Sequence, residues 1–315
     1  MGTIYDLIIL GAGPAGLAAG LYGGRYRLDT LLIEKSQDGG IAITSDIENY
    51  PGQMVEEEES GATLIRRMTK QVEKFGVHRV SAAIEKTELE GPVKRLIDSK
   101  GNVYEGKTVI IATGAHPRPI GCKNEKDFLG KGISFCATCD ANFYEDMEVY
   151  VVGGGDSAIE EAIYLTKFAR KVTVIHRRDQ LRAAQSIQEK AFRNEKLHFM
   201  WDSVVDEVSG DGILDRMVVR NVKTGRLTEV LADPDDGMFG LFGFIGYLPN
   251  TGLLEDSGLA MENGYIRTDE DMHTNIEGVY AAGDVRVKSL RQVVTAAADG
   301  AIAACQAEHY VADMQ

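Results

Sequence analysis

The sequence predicts an α/β protein made of two Rossmann-like dinucleotide-binding domains. Its 315 residues are enough for two separate cores. A glycine loop at 11–16 lies between an apolar strand and a helix, and a second loop of the same layout occupies 153–158.

The first loop is a strand–turn–helix. Residues 5–10 form a short apolar run that enters Gly11-Ala12-Gly13-Pro14-Ala15-Gly16, and residues 17–22 open a helix. Gly11 makes the turn, Gly13 lets backbone approach a pyrophosphate, and Gly16 lets helix pack on strand. A second strand at 30–33 ends in Glu34, eighteen residues after Gly16, where a carboxylate accepts from a free ribose 2′-hydroxyl and repels a 2′-phosphate. That suits the adenosine of FAD.

The second loop differs at the ribose. A strand at 148–152 enters Gly153-Gly154-Gly155-Asp156-Ser157-Ala158, a helix is expected over 159–168, and the strand at 171–175 ends in His176-Arg177-Arg178, with Arg182 following. Paired guanidiniums match a dianionic phosphate, so this site is expected to take NADPH over NADH.

Between the loops stands Cys136-Ala137-Thr138-Cys139-Asp140, two thiols at redox spacing followed by a carboxylate. No second CxxC or paired His completes a zinc site, so no metal is expected. Of the other cysteines, Cys122 is assigned no redox role, and Cys305 in an apolar helical stretch reads as a small core hydrophobe. Near the C-terminus, residues 278–284 read as a strand ending in Gly283-Asp284. Asp284 is placed to accept from sugar or ribityl hydroxyls, and a helix starting near Arg291 directs its positive end at what lies beyond.

Composition narrows the class. With 34 basic against 48 acidic residues and a net charge of −14, binding to nucleic-acid backbones is disfavoured. No apolar run reaches membrane-spanning length, and residues 1–10 lack a basic flank, so they read as a strand and not a signal peptide; a cytoplasmic location is expected. The acidic cluster at 56–59 reads as a solvated loop.

Taken together, GAGPAGLAAG at 11–20, ENYPG at 48–52, IATGA at 111–115, CATCD at 136–140, GGGDSAIEEA at 153–162, HRRD at 176–179, IGYLPNT at 245–251 and YAAGDV at 280–285 resemble the low-molecular-weight, bacterial-type thioredoxin reductases over nearly the whole chain. CATCD just ahead of the second loop is the specific mark, because larger disulfide reductases carry their active cysteines near the first. The resemblance implies an FAD domain from 1–116 and 248–315, with an NADPH domain carrying the CxxC inserted at 117–247. Gly and Pro at 113–117 and 246–250 agree with two chain crossings there. It also implies a swivel of the inserted domain, a homodimer, and thioredoxin as partner. Hydride would pass from NADPH to FAD, then electrons to the Cys136–Cys139 pair, with Cys139 facing the flavin, Cys136 attacking the partner disulfide, and Asp140 as acid or base. Lys35, Gly40, Asn49, Thr113, Gly114, Gln292 and Val293 join the FAD site on the same ground.

Three departures from the family pattern stand out. Ile41 follows Gly39-Gly40 where a Gln is common, Ala141-Asn142-Phe143-Tyr144 follows the CxxC where Gly and two aromatics are usual, and His116-Pro117-Arg118-Pro119 makes a stiff crossing. The second departure keeps open a related flavin dithiol enzyme with another disulfide partner or with oxygen as oxidant, while a ferredoxin-driven relative is disfavoured because GGGDSA at 153–158 and HRR at 176–178 are both present.

Overall fold

A computed structural model describes residues 3–35, 47, 49–53 and 60–314. Two compact units divide the chain, Met1–His116 with Leu248–Gln315, and Pro117–Tyr247.

The first segment contributes β1 (Ile4–Leu10), α1 (Pro14–Arg25), β2 (Thr30–Glu34), α2 (Gly61–Glu73), β3 (His78–Ser81), β4 (Ile84–Glu88), β5 (Lys94–Asp98), β6 (Val103–Ile111) and β7 (Ala115–Pro117). Strands β3, β2, β1 and β6 run parallel in that order, so the order reverses direction between β1 and β6. Ligands of such sheets bind beyond the strand ends at this reversal. The β4–β5–β6 meander is antiparallel and has no counterpart in the sequence reading. Leu7, Ile8 and Ile9 of β1 are fully buried with side chains on alternate faces, each contributing about 1.5–3 kcal/mol of burial.

The inserted unit holds β8 (Ile133–Ser134), α3 (Ala137–Asp140), β9 (Glu148–Gly153), α4 (Asp156–Leu165), β10 (Lys171–Ile175), α5 (Gln185–Phe192), β11 (Leu197–Met200), β12 (Ser203–Ser209), β13 (Arg216–Asn221), β14 (Leu227–Leu231), β15 (Gly240–Phe244) and β16 (Tyr247–Pro249), the last of which straddles the unit boundary. Its main sheet is wholly parallel in the order β11-β10-β9-β15-β8, again reversing beside the glycine-loop strand, and β12–β13–β14 form a separate antiparallel sheet. Helix α4 begins at Asp156, three residues before its expected start, because Gly155 already serves as its N-cap; residues 166–168 turn away.

The last segment adds β17 (Met261–Glu262), β18 (Tyr265–Ile266), β19 (Val279–Ala281) and α6 (Val293–Asp313). β19 lies parallel to the end of β6, and α6 lies against α1 so closely that a Cβ on Gly300 would stand 2.0 Å from the Ala15 carbonyl oxygen. Gln292 caps α6 reciprocally with Thr295 and sets its start two residues past Arg291. Cys305 on this helix is half-buried, not in the core, with its Sγ 3.9 Å from His309 Nε2. Cys122 is buried, and that burial pushes its thiol up to about 12. The two crossings pair as a ribbon of β7 with β16, and the Asn250 side chain bridges Thr113 O and His116 Nδ1, both at 2.8 Å.

Candidate active site

Each glycine loop closes on its own sheet and leaves one position open. Gly11 has φ +114°, and a Cβ there would meet Ala112 O at 2.3 Å; one on Gly16 would meet Gly11 O at 1.8 Å. A Cβ on Gly13 would meet nothing within 4 Å. The middle glycine therefore faces free space at the N-terminus of α1, where backbone N–H groups favour an anion. Pro14 stands at the first helical position, Ala15 and Gly16 are buried, and Lys35 is exposed just past β2.

Glu34 at the end of β2 is buried, and Arg79 Nη2 donates to both its oxygens at 2.9 and 3.1 Å. A carboxylate has about four acceptor positions, so ribose hydroxyls still find lone pairs there. Sequence reading missed Arg79, which is 45 residues away.

Asn49 and Gln292, 243 residues apart, meet through an Nδ2–Oε1 hydrogen bond of 3.1 Å, and Val293 opens α6 beside them. Thr113 Oγ1 donates to Asn250 O at 2.8 Å, and Gly114 follows with φ +70°. Gly283 and Asp284 lie in a short 3₁₀ turn after β19. Asp284 Oδ1 and Arg291 Nε are buried with no hydrogen-bond partner, and burial raises the Asp284 carboxyl above its usual range. The Arg291 guanidinium covers the Tyr265 ring at 4.3 Å. An open glycine cradle, an orphaned buried acceptor and an orphaned donor fit a cofactor such as FAD. Gly40 and Ile41 lie outside the described residues.

Asp299, also missed, underlies this turn. Its carboxylate accepts from the Gly283 N–H (3.0 Å), Lys288 Nζ (2.7 Å) and Arg286 Nη1 (3.3 Å), all nearly buried. A carboxylate in the apolar run Ala296-Ala297-Ala298-Asp299 was the available signal. Asp299→Asn removes the carboxylate that pairs with two nearly buried cations and is expected to cost about 3 kcal/mol, with faster loss of flavin; thermal melting and released-flavin fluorescence check this.

In the inserted unit Gly153 packs on Ala158 and Phe244, while a Cβ on Gly155 would meet nothing within 4 Å. Asp156 Oδ1 accepts from the Ala184 N–H at 2.7 Å, and Ser157 is exposed at the start of α4. His176 is buried against Gly154, where a Cβ would stand 2.3 Å from its ring, so the imidazole props the loop. Burial holds His176 below its ordinary range, and the charges of Arg182 and Arg178 push the same way. Arg177, Arg178 and Arg182 are exposed, and their guanidiniums make no hydrogen bond or ion pair with described residues.

Cys136 and Cys139 form a disulfide, with Cα atoms 5.3 Å apart. Cys136 caps the short helix α3, and Asp140 closes it. The Asp140 carboxylate does not cap a helix start: its Oδ2 lies 2.5 Å from Ser134 Oγ. Downstream, Phe143 is exposed and Tyr144 buried.

A disulfide and two dinucleotide-type sheets in one chain define the pyridine nucleotide-disulphide oxidoreductases, and the chain belongs to that family, whose pattern matches residues 5–300. Within it, the chain falls among the low-molecular-weight bacterial thioredoxin reductases, flavoprotein oxidoreductases that work with FAD and NADPH. It is 56% identical to a thioredoxin reductase of Peptoclostridium litorale, covering 100% of this chain and 99% of the relative. It is 44% identical to that of Bacillus subtilis, over 99% and 96%. The crystal structure of thioredoxin reductase from Streptococcus pyogenes superimposes with a TM-score of 0.91 at 45% identity, covering 99% of this chain and 100% of that one. No described helix is long and apolar enough to cross a membrane.

Proposed function

We propose that this chain reduces oxidised thioredoxin with electrons from NADPH, working as a cytoplasmic homodimer whose FAD unit is 1–116 with 248–315 and whose NADPH unit is 117–247. The Cys136–Cys139 disulfide, in the same unit as the open second loop, carries this reading. Bound FAD supplies a two-electron carrier that accepts hydride from NADPH and passes electrons to a disulfide.

The protein's own groups do the rest. Gly11, Gly13, Pro14, Ala15 and Gly16 would hold the FAD pyrophosphate at the start of α1, and Glu34, with Lys35 beside it, would orient the adenosine ribose; Asn49, Thr113 and Gly114 would complete the site, and Gly40, which the resemblance adds to it, lies outside the described residues. Asp284 would accept from ribityl hydroxyls beside Gly283, while Arg291, Gln292 and Val293 would direct the positive end of α6 at negative charge on the bound group. Gly153, Gly155, Asp156, Ser157 and Ala158 would hold the NADPH pyrophosphate, and Arg177, Arg178 and Arg182 its 2′-phosphate beside His176.

Two electrons entering at Cys139 break the S–S bond and release Cys136 as a thiolate, which takes a proton from Asp140. In the return step Asp140 removes that proton, Cys136 attacks the partner disulfide, and Cys139 then attacks Cys136. The internal disulfide re-forms, and the two partner sulfurs, released in turn as thiolates, take protons from solvent so that the partner leaves as a dithiol.

Arg177→Ala and Arg178→Ala are each expected to raise the KM for NADPH about tenfold, by removing a charge-assisted phosphate contact, with NADH kinetics nearly unchanged. Equal losses with both nucleotides would rule out phosphate recognition here.

The test of function is anaerobic NADPH oxidation with oxidised thioredoxin, with a small aromatic disulfide, or with neither, followed by aerobic repetition. Turnover that needs thioredoxin supports the reading. Turnover with oxygen or the small disulfide alone would favour the second reading, which rests on the single exposed aromatic, Phe143, after the CxxC.

A further inference from the structure

Ser134 ends β8, two residues before Cys136, and is only 5% exposed. Its hydroxyl has one proton and two lone pairs. The Cys136 N–H donates to Oγ at 3.1 Å, and two acceptors lie within reach of the proton: Asp140 Oδ2 at 2.5 Å and the Cys136 carbonyl oxygen at 3.4 Å. The short contact takes it, as expected for a hydroxyl facing an ionised carboxylate.

A serine two residues before a turn commonly accepts a backbone N–H for purely local reasons. That accounts for the Cys136 N–H but not for the 2.5 Å contact to a side chain six residues away. The second acceptor gives the hydroxyl two positions. With Asp140 ionised, Ser134 donates to it. With Asp140 protonated, the carboxyl donates to Oγ, and the serine proton turns to the Cys136 carbonyl. Either way no buried polar group in this trio is left unpaired.

We propose that Ser134 is a positioning residue that holds the Asp140 carboxyl at one rotamer through both protonation states, so that the same proton can be given to and taken from Cys136 Sγ. This rests on the role of Asp140 proposed above. Ser134 itself undergoes no net change: one proton moves from Asp140 to the Cys136 thiolate as the disulfide opens, and returns as Cys136 attacks.

The experiment is a double-mutant cycle on the FAD-loaded enzyme, with Ser134→Ala, Asp140→Asn and the pair together, plus Ser134→Thr, which keeps the hydroxyl. Thioredoxin and the small aromatic disulfide serve in parallel as acceptors. Ser134→Ala is expected to lower kcat about tenfold, the worth of one hydrogen bond to a charged group, with KM for the acceptor within about twofold. Ser134→Thr should restore most of the rate, and adding Ser134→Ala to Asp140→Asn should cause no further loss. Unchanged kcat in Ser134→Ala, or losses that multiply in the double variant, overturns the proposal. If Ser134→Ala loses its flavin, Ser134→Val set against Ser134→Thr reads the same contrast at equal bulk. No turnover of thioredoxin by the wild type, with the cycle intact on the small disulfide, would overturn the partner assignment and leave the role of Ser134 standing.

Discussion

Cys136→Ser and Cys139→Ser are each expected to lower kcat/KM for thioredoxin more than about a thousandfold, while NADPH still bleaches the FAD at the wild-type rate. A serine hydroxyl can neither close a disulfide nor ionise at neutral pH to serve as nucleophile or leaving group. Hydride entry, by contrast, needs neither sulfur of the pair. Stopped-flow absorbance of the flavin under anaerobic NADPH, set against steady-state thioredoxin reduction, separates the halves. Thioredoxin turnover surviving in either variant would mean that electrons leave by another route, and loss of bleaching would mean that the dithiol takes part in hydride entry.

Gly300→Ala and Gly13→Ala are expected to fail in opposite ways. On Gly300 the new methyl would lie 2.0 Å from Ala15 O and 3.0 Å from Ala19 N, both backbone atoms of α1. No flexible side chain can give way, so α6 and α1 must part, at a cost of about 3 kcal/mol or more, and the first turn of α1 shifts with them. Both melting temperature and flavin content should fall. The Gly13 methyl would touch no protein atom within 4 Å, so Gly13→Ala should melt like the wild-type apoprotein yet bind FAD weakly. Tight FAD binding by Gly13→Ala would move the pyrophosphate away from this loop.

Much of this was legible because the decisive signals are local. Strand β10 ends at Ile175 as its apolar run does, and both loops carry their spacing within six residues. The α4 boundary was missed because Gly155 caps a helix that opens with Asp and Ser, residues that read as loop in isolation. The β12–β13–β14 sheet went unread because strands such as Leu227–Leu231 are largely exposed and carry weak alternation. Within the candidate site, the nucleotide loops and the CxxC were visible, but the supporting groups were not. Arg79 on Glu34 and Asp299 under Gly283 are joined by tertiary register, which no spacing rule encodes, whereas Asn49 and Gln292, which meet in the same way, came only with the family resemblance. Ser134 was close enough in sequence to be found, yet a serine before a turn carries no sign of which carboxylate it will serve.

The ribbon formed by β7 and β16 bears on the order in which the chain acquires its structure. The first sheet needs β19, and α1 needs α6, yet both arrive after an interruption of about 130 residues. Closing a disordered loop of that length costs more entropy than closing one of a few residues, by about five doublings or on the order of 3 kcal/mol. Once residues 117–247 have folded, their ends leave as neighbouring strands about 5 Å apart, and the long loop becomes a short one. A folded inserted unit thus removes most of that closure cost from the discontinuous one.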